Sequence, residues 1–320
     1  KAIRRQRQMC IRDRPPATPT ATLFDFDNAR TSESDDSAEV PDSHRTTGTT
    51  GSFRVMTWNV NSVRARLPLL LSVLEKENCD AVLLQETKTE NDSFPFDEIK
   101  RAGYFAAANG QKAYNGVAIL SKTPLRDVKT VLPDVSDGGA QARFIEAVTN
   151  GGVRLICVYV PNGEASPKDP DSDERLVFKI DWLNTLADYV SPMAARGEKV
   201  VLAGDFNVID RDQDVYDAEK FRNGVLAMPA VRQIFRRFEF AGYTDAARFF
   251  AGENESLYSF WDYQGGAAAK NHGILLDYIF VSPALQRAMD AADILTAYRS
   301  ADKASDHAPA VCSFNLKNKN

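Results

Sequence analysis

Apolar runs that stop abruptly at a carboxylate, an amide or a histidine recur along this chain, and they constrain its fold more than any other feature. The clearest is Leu202-Ala203-Gly204-Asp205-Phe206-Asn207-Val208, in which an apolar run meets glycine, then an acid and an amide two residues apart. A carboxylate at the end of a buried strand is costly unless it is paired or binds a cation. Strand ends in sheet proteins also commonly open into functional sites. If the chain stays extended, alternation places Asp205 and Asn207 on one side.

The rest of the chain supplies the strands this reading needs. Residues 53–58 and 81–84 read as strands, and between them Leu67, Leu70, Leu71 and Leu74 fall at helical spacing. Further strand-like runs cover 116–120, 144–148, 153–160, 199–202, 276–281 and 310–314, with helices expected at 172–189 and 230–240. Many strands with few helices between them predict a layered α/β fold, sheet packed on sheet with helices outside. The 320 residues suffice for one large domain or two small ones, and 43% hydrophobic content supports a sizeable core.

No apolar run is long enough to cross a membrane, since a span needs about 18 apolar residues or more. No secretory signal is expected, because no apolar stretch follows the basic N-terminus. The four cysteines, Cys10, Cys79, Cys157 and Cys312, form no C-x-x-C pair, which argues against zinc and dithiol chemistry. Cys157 lies in an apolar run and reads as a buried free thiol, so a reducing cytoplasm is expected.

Residues 1–52 do not read as part of the fold. From Arg14 to Gly51 they are rich in Pro, Thr, Ser and Asp, a composition that cannot offset its own ordering entropy. A disordered extension at 1–52, a folded domain at 53–316 and a tail at 317–320 are therefore expected. Residues 4–14, RRQRQMCIRDR, back-translate into a run that resembles a transposon-type sequencing adapter, which predicts an assembly artefact. A basic nucleic-acid-binding arm is the alternative.

Other clusters repeat the opening pattern. Thr57-Trp58-Asn59-Val60-Asn61 ends a strand in two asparagines, and Arg64 and Arg66 follow. An amide can donate to a phosphate oxygen or orient a carboxylate without adding charge. Leu83-Leu84-Gln85-Glu86-Thr87-Lys88 runs straight into Glu86, which suits a hard cation shared with waters and phosphate; a surface Glu–Lys pair is the plainer reading. Tyr159 precedes the turn Pro161-Asn162-Gly163, where a phenol can reach a phosphate oxygen. Asp277 interrupts an apolar run, and His307 follows Asp306 directly. An Asp–His pair fixes the imidazole tautomer and raises its basicity. His272 reads as a loop histidine, and His44 lies in the extension.

The order Asn59, Glu86, Tyr159, Asp205 with Asn207, Asp277, Asp306 with His307 resembles the exonuclease III family of abasic-site endonucleases, within the endonuclease/exonuclease/phosphatase fold. TWNVNSVRAR, LLQETK, YNGVAILSK, VYVPNG, GDFNV, FWDY and SDHAP carry the likeness, which runs from about Arg54 to Phe314. DERLVFKIDWL and DVYDAEKFRNGVLAMPAVR resemble the bacterial branch. The resemblance implies a four-layer α/β sandwich, two packed mixed sheets flanked by helices, with the site where strand ends gather. It implies Mg²⁺, replaceable by Mn²⁺, on Glu86 with Asp306 or Asn61 nearby. Asp205 would orient the attacking water, and His307, held by Asp277, would support the scissile phosphate. Asn207, Asn59 and Tyr159 would hold phosphate oxygens. Arg64, Phe260, Trp261 and Ile274 would contact substrate, the last three at or near an apolar pocket for a baseless sugar. Double-stranded DNA with abasic sites or blocked 3′ ends is the implied partner, no membrane is involved, and a monomer is expected.

One departure stands out. The family usually has Arg two residues before the acid, where this chain has Leu275 ahead of Asp277. A lost cation beside the pocket should weaken phosphate contact and alter substrate preference. The net charge of −5 is mild evidence against obligate, high-affinity nucleic-acid binding. The rivals are an enzyme of the same fold that uses two catalytic histidines, such as a deoxyribonuclease I-type nuclease, a sphingomyelinase or an inositol phosphatase, and an inactive relative that binds RNA or protein. Only His307 lies in a matching motif, and all the acids are present, so both rank below the abasic-site reading. Resequencing the locus from genomic DNA is expected to lack codons 4–14; finding them there overturns the artefact.

Overall fold

Ala81–Gln85, Val117–Ser121, Phe144–Thr149 and Val200–Asp205 are buried at every residue. A strand without an exposed face must be covered on both sides. The computed structural model covers them by packing two sheets face to face. It describes residues 22–23, 51–164 and 173–316. The expected artefact at 4–14, most of the extension and the tail at 317–320 lie outside the described residues.

The strands are β1 (Thr22–Leu23), β2 (Ser52–Asn59), β3 (Ala81–Gln85), β4 (Phe105–Asn109), β5 (Val117–Ser121), β6 (Leu125–Lys129), β7 (Phe144–Thr149), β8 (Arg154–Tyr159), β9 (Val200–Asp205), β10 (Thr244–Asp245), β11 (Asp277–Val281), β12 (Met289–Ile294) and β13 (Ala310–Asn315). One sheet has the order β1-β4-β5-β3-β2-β13-β12 and the other β10-β11-β9-β8-β7-β6. The helices are α1 (Leu67–Glu77), α2 (Phe96–Arg101), α3 (Glu174–Ala195), α4 (Ala218–Phe221), α5 (Pro229–Phe235), α6 (Arg237–Phe240), α7 (Ala246–Phe250) and α8 (Pro283–Gln286). The expected four-layer α/β sandwich of two mixed sheets flanked by helices is observed.

Alternation along each strand divides the core. Leu83 and Ile119 join a large cluster that continues through Leu155 and Leu202 to Trp182 and Leu183 of α3. Leu84 and Leu120, one residue on, pack instead with Leu70, Val73 and Leu74 of α1 and Ile99 of α2. Between the sheets, Gln85 Nε2 donates to Cys157 Sγ at 3.2 Å. Cys157 is a buried free thiol, as expected, and burial pushes its pKa up to about 12, which keeps it protonated.

Register places the site. β2 runs parallel to β3 with Asn59 opposite Gln85, so Glu86 emerges beside Asn59. β8 runs parallel to β9 with Tyr159 opposite Asp205, and antiparallel β11 sets Asp277 opposite the same Asp205. β13 returns antiparallel to β2 with Ala310 opposite Thr57, which brings Asp306 and His307 to the same end.

Some elements differ from expectation. The helix expected at 172–189 runs on to Ala195, with Pro192 in its last turn. The one expected at 230–240 divides into α5 and α6 at Arg236. β4, β6 and β12 were not anticipated. Phe105–Asn109 reads FAAAN, mostly alanine with little strand preference, and the strands LRDVK and MDAADI are partly exposed and charged. Within the extension, Thr22–Leu23 pairs antiparallel with β4, Thr22 opposite Ala108.

Gly204 sits on β9 opposite Val158 of β8, one residue before Asp205. A Cβ there would lie 1.9 Å from the carbonyl oxygen of Val158 on the paired strand. Backbone cannot yield as a flexible side chain can. Gly204→Ala is therefore expected to destabilise by about 1–3 kcal/mol or more, read as a lower urea midpoint; an unchanged midpoint would contradict this packing.

Candidate active site

Phe206 is the anchor that makes a site out of the β9 end. Its ring is fully buried, with centroids of Phe235, Phe238, Tyr278 and Phe280 at 5.4–5.8 Å. The chain then turns: Asn207 adopts φ 50°, so the extended alternation expected for Asp205 and Asn207 does not hold. Both nevertheless face the same cleft, because the turn returns Asn207 to it. The Asn207 N–H donates to Asp205 Oδ1 at 2.9 Å, and its Nδ2 donates to the carbonyl of Val160 at 2.9 Å.

Asn59 joins the two sheets. Its Nδ2 donates to Glu86 Oε1 at 2.9 Å and to Asp205 Oδ2 at 3.0 Å, while its Oδ1 accepts from the Asn61 N–H. The residue is fully buried and does not line the cleft. This corrects the expectation that Asn59 holds a phosphate oxygen: its amide is occupied by carboxylates. Lys88 Nζ lies 2.7 Å from Glu86 Oε2 and donates to Asn61 Oδ1 at 2.6 Å. Asn61 Nδ2 in turn donates to Asp306 Oδ1 at 3.1 Å. Glu86, Asn61 and Asp306 thus share one network, and the plainer Glu86–Lys88 pair is part of it.

His307 is fixed from every side. Its Nδ1 lies 2.7 Å from Asp277 Oδ2, which also accepts from Ser259 Oγ at 2.6 Å. Trp58 Nε1 donates to the His307 carbonyl, and Ser305 Oγ accepts from the His307 N–H. Its Nε2 faces Asp205 Oδ2 at 3.8 Å. Ser259 and Trp58 went unassigned in sequence; Ser259 is visible only as a small polar residue before FWDY.

The electrostatics follow from this packing. Burial disfavours the imidazolium, but Asp277, Asp205 and Asp306 outweigh it and raise the His307 pKa above its ordinary value. Burial raises Asp205, and Asp277 and Glu86 add to that while His307 opposes it. Burial also works against charged Glu86, yet hydrogen bonds from Asn59 and Lys88 and the Lys88 charge hold its pKa below the usual range. Tyr159 is pushed well up by burial and by the Glu86 and Asp205 charges, so its phenol stays protonated.

The cleft has a volume of about 700 Å³. Glu86, Tyr159, Asp205, Asn207, Asp306 and His307 line one part; Phe260, Ile274 and Leu276 line its apolar wall, with the Phe260 ring 4.9 Å from that of His307. His272, a loop histidine as expected, also lines it and stacks on Tyr216 at 4.4 Å. Trp261 does not line it. Its ring is buried in the main core and its Nε1 donates to Asn271 Oδ1, which corrects its placement as a substrate contact. Arg64 is exposed at the start of the segment leading to α1 and does not line the cleft either.

Leu275 is corrected as well. Ile274 and Leu276 face the cleft, so alternation turns Leu275 the other way, into the core at 1% exposure. The side chain at position 275 is not part of the pocket wall.

The sequence pattern of the endonuclease/exonuclease/phosphatase family matches residues 56–307. An exodeoxyribonuclease of Bacillus subtilis is 30% identical over 268 residues, covering 82% of this chain and all of that protein. Among solved structures, a 3′ phosphatase from Neisseria bound to a product DNA hairpin is 36% identical with TM-score 0.76, covering 82% of this chain and 99% of that one. An AP endonuclease from Archaeoglobus fulgidus is 32% identical with TM-score 0.76, covering 82% and 100%.

Because position 275 faces the core, Leu275→Arg should act on stability and not on substrate. The variant is expected to unfold at a lower temperature, since it buries a charge, while KM for DNA stays within about twofold. A KM that falls with a steeper salt dependence would restore the pocket-cation view.

Proposed function

The chain belongs to the endonuclease/exonuclease/phosphatase family, and we propose that it is a metal-dependent DNA phosphodiesterase of base-excision repair, incising 5′ to abasic sites and trimming blocked 3′ ends. The observation that carries this reading is the convergence of Glu86, Asp205 and His307, whose ligand atoms lie within 4.8 Å of one another beside an apolar wall. The relatives' activities agree with it: an exodeoxyribonuclease, a 3′ phosphatase and an AP endonuclease.

The donor chemistry fits a hard divalent cation, and we assign Mg²⁺, with Mn²⁺ as a substitute. Glu86 would hold it together with a neighbouring oxygen from Asp205, Asp306 or Asn61. His307 is the weaker ligand, since its raised pKa favours the imidazolium, which has no free lone pair. When bound, the ion neutralises phosphate charge and acts as a Lewis acid.

The remaining steps belong to the protein's own groups. Asp205, poised by burial to accept a proton, orients the attacking water. The His307 imidazolium, held by Asp277, faces the scissile phosphate and supports the charge that develops on it. Protonated Tyr159 donates to a phosphate or leaving oxygen. Asn207 lines the cleft with its amide fixed by Val160. Phe260, Ile274 and Leu276 offer apolar contact to a sugar without its base. No helix among the described residues is long and apolar enough to cross a membrane; the buried free thiols Cys79, Cys157 and Cys312 fit a reducing compartment.

Incision of a duplex with one abasic site, and release of a 3′-terminal phosphate from a hairpin, are both expected with Mg²⁺ and abolished by EDTA. Glu86→Gln and Asp205→Asn should each lower kcat by about 10²–10⁴-fold. Absence of any metal-dependent product at micromolar protein would favour the RNA- or protein-binding alternative.

A further inference from the structure

Lys179 lies in the second turn of α3 and is fully buried. Lysine is almost never fully buried unless it is paired. Here no carboxylate lies within ion-pair distance among the described residues. Its Nζ instead donates to two backbone carbonyls, those of Asn162 at 3.0 Å and of Asn207. Neither Lys179 nor its ammonium lines the cleft.

We propose that Lys179 is a positioning residue for the phosphodiesterase site, a reading that rests on the function proposed above: it clamps the turn after β8 to the turn after β9 and so fixes Asn207. The hydrogen bonds close a ring. Lys179 holds the Asn162 carbonyl on one turn and the Asn207 carbonyl on the other, and Asn207 Nδ2 reaches back to Val160, two residues before Asn162. Tyr159 and Asp205 are carried at the two strand ends that lead into these turns.

The sequence is shaped around this clamp. Asn207 sits at φ 50°, a left-handed conformation that, among residues with a side chain, asparagine adopts most readily. Gly163 has φ 80°, and a Cβ there would meet Lys179 Cδ at 2.6 Å, so the turn closes directly on the lysine stem. Burial draws the Lys179 pKa down to about 7, against the charges of Asp205 and Glu164. A neutral amine still has two N–H donors, enough for both carbonyls, so the clamp does not depend on its protonation.

The test is a double-mutant cycle with Asn207, read by kinetics and by the Asn207 side-chain amide. Lys179→Met keeps the stem and removes the donors. It is expected to lower kcat on the 3′-phosphate hairpin by about 10–100-fold, since small misplacements of catalytic groups cost this much, with KM little changed. Adding it to Asn207→Ala should cost little more than Asn207→Ala alone, because the two act through one group. In ¹⁵N spectra of the wild type the Asn207 side-chain amide should exchange slowly with solvent, and in Lys179→Met rapidly. Losses that multiply, or an Asn207 amide equally protected in both proteins, overturn the proposal. Lys179→Leu, which likewise has no donor, takes the same place in the cycle should the Met variant fail to fold. If the wild type releases no phosphate, the functional reading fails, while the exchange measurement still decides whether Lys179 holds Asn207.

Discussion

The site depends on one amide. Asn59 Nδ2 stands between Glu86 Oε1 and Asp205 Oδ2, one carboxylate from each sheet. Two acids brought this close in a buried setting repel one another. The amide relieves that repulsion without adding charge, and its position requires β2 of one sheet to end against β9 of the other. Sheet packing, register and the cleft are therefore aspects of one arrangement. Trp58, the residue before Asn59, strengthens it by donating to the His307 carbonyl from the opposite face of the same strand.

Strand-end chemistry was legible because it is local. A run such as Leu202-Ala203-Gly204-Asp205 announces both a buried strand and its unusual end, and the strands at 53–58, 81–84 and 144–148 lie within one or two residues of those observed. β4, β6 and β12 were not legible, because two of them sit on the margins of sheets and the third, FAAAN, is held in its strand by neighbours and not by its own composition. Tertiary context overrides weak β propensity there.

Partners far apart in sequence were the harder part. Nothing local says that the Asn59 amide is occupied by carboxylates, or that Ser259 and His307 share one Asp277 oxygen. Trp261 and Leu275 show the same limit in another form. Each adjoins a residue that faces the cleft, Phe260 in one case and Ile274 and Leu276 in the other, and a strand puts neighbours on opposite sides. Proximity in sequence to a pocket residue is, in an extended segment, an argument for pointing away from it. Lys179 was readable as part of DERLVFKIDWL but not as a clamp, since its two acceptors lie 17 and 28 residues away.

The chain's acidity takes on a different meaning once the charges are placed. Several of its cations are engaged by its own acids: Arg154 with Glu146, Arg236 with Asp210 and Arg248 with Asp214. At the cleft, Glu86, Asp205 and Asp306 face the solvent opening with Asp277 behind them, against the charges of Lys88 and a protonated His307. A phosphodiester entering such a site adds another negative charge where the balance is already acidic. Direct approach to the carboxylates is then unfavourable, and the charge must be offset locally, not by the protein's net field. A bound divalent cation is the largest local charge a site of this size can acquire. The same acids that weaken the case for a general nucleic-acid binder are the groups suited to hold such a cation. Lys220 and Lys270 also line the cleft and add positive charge to it.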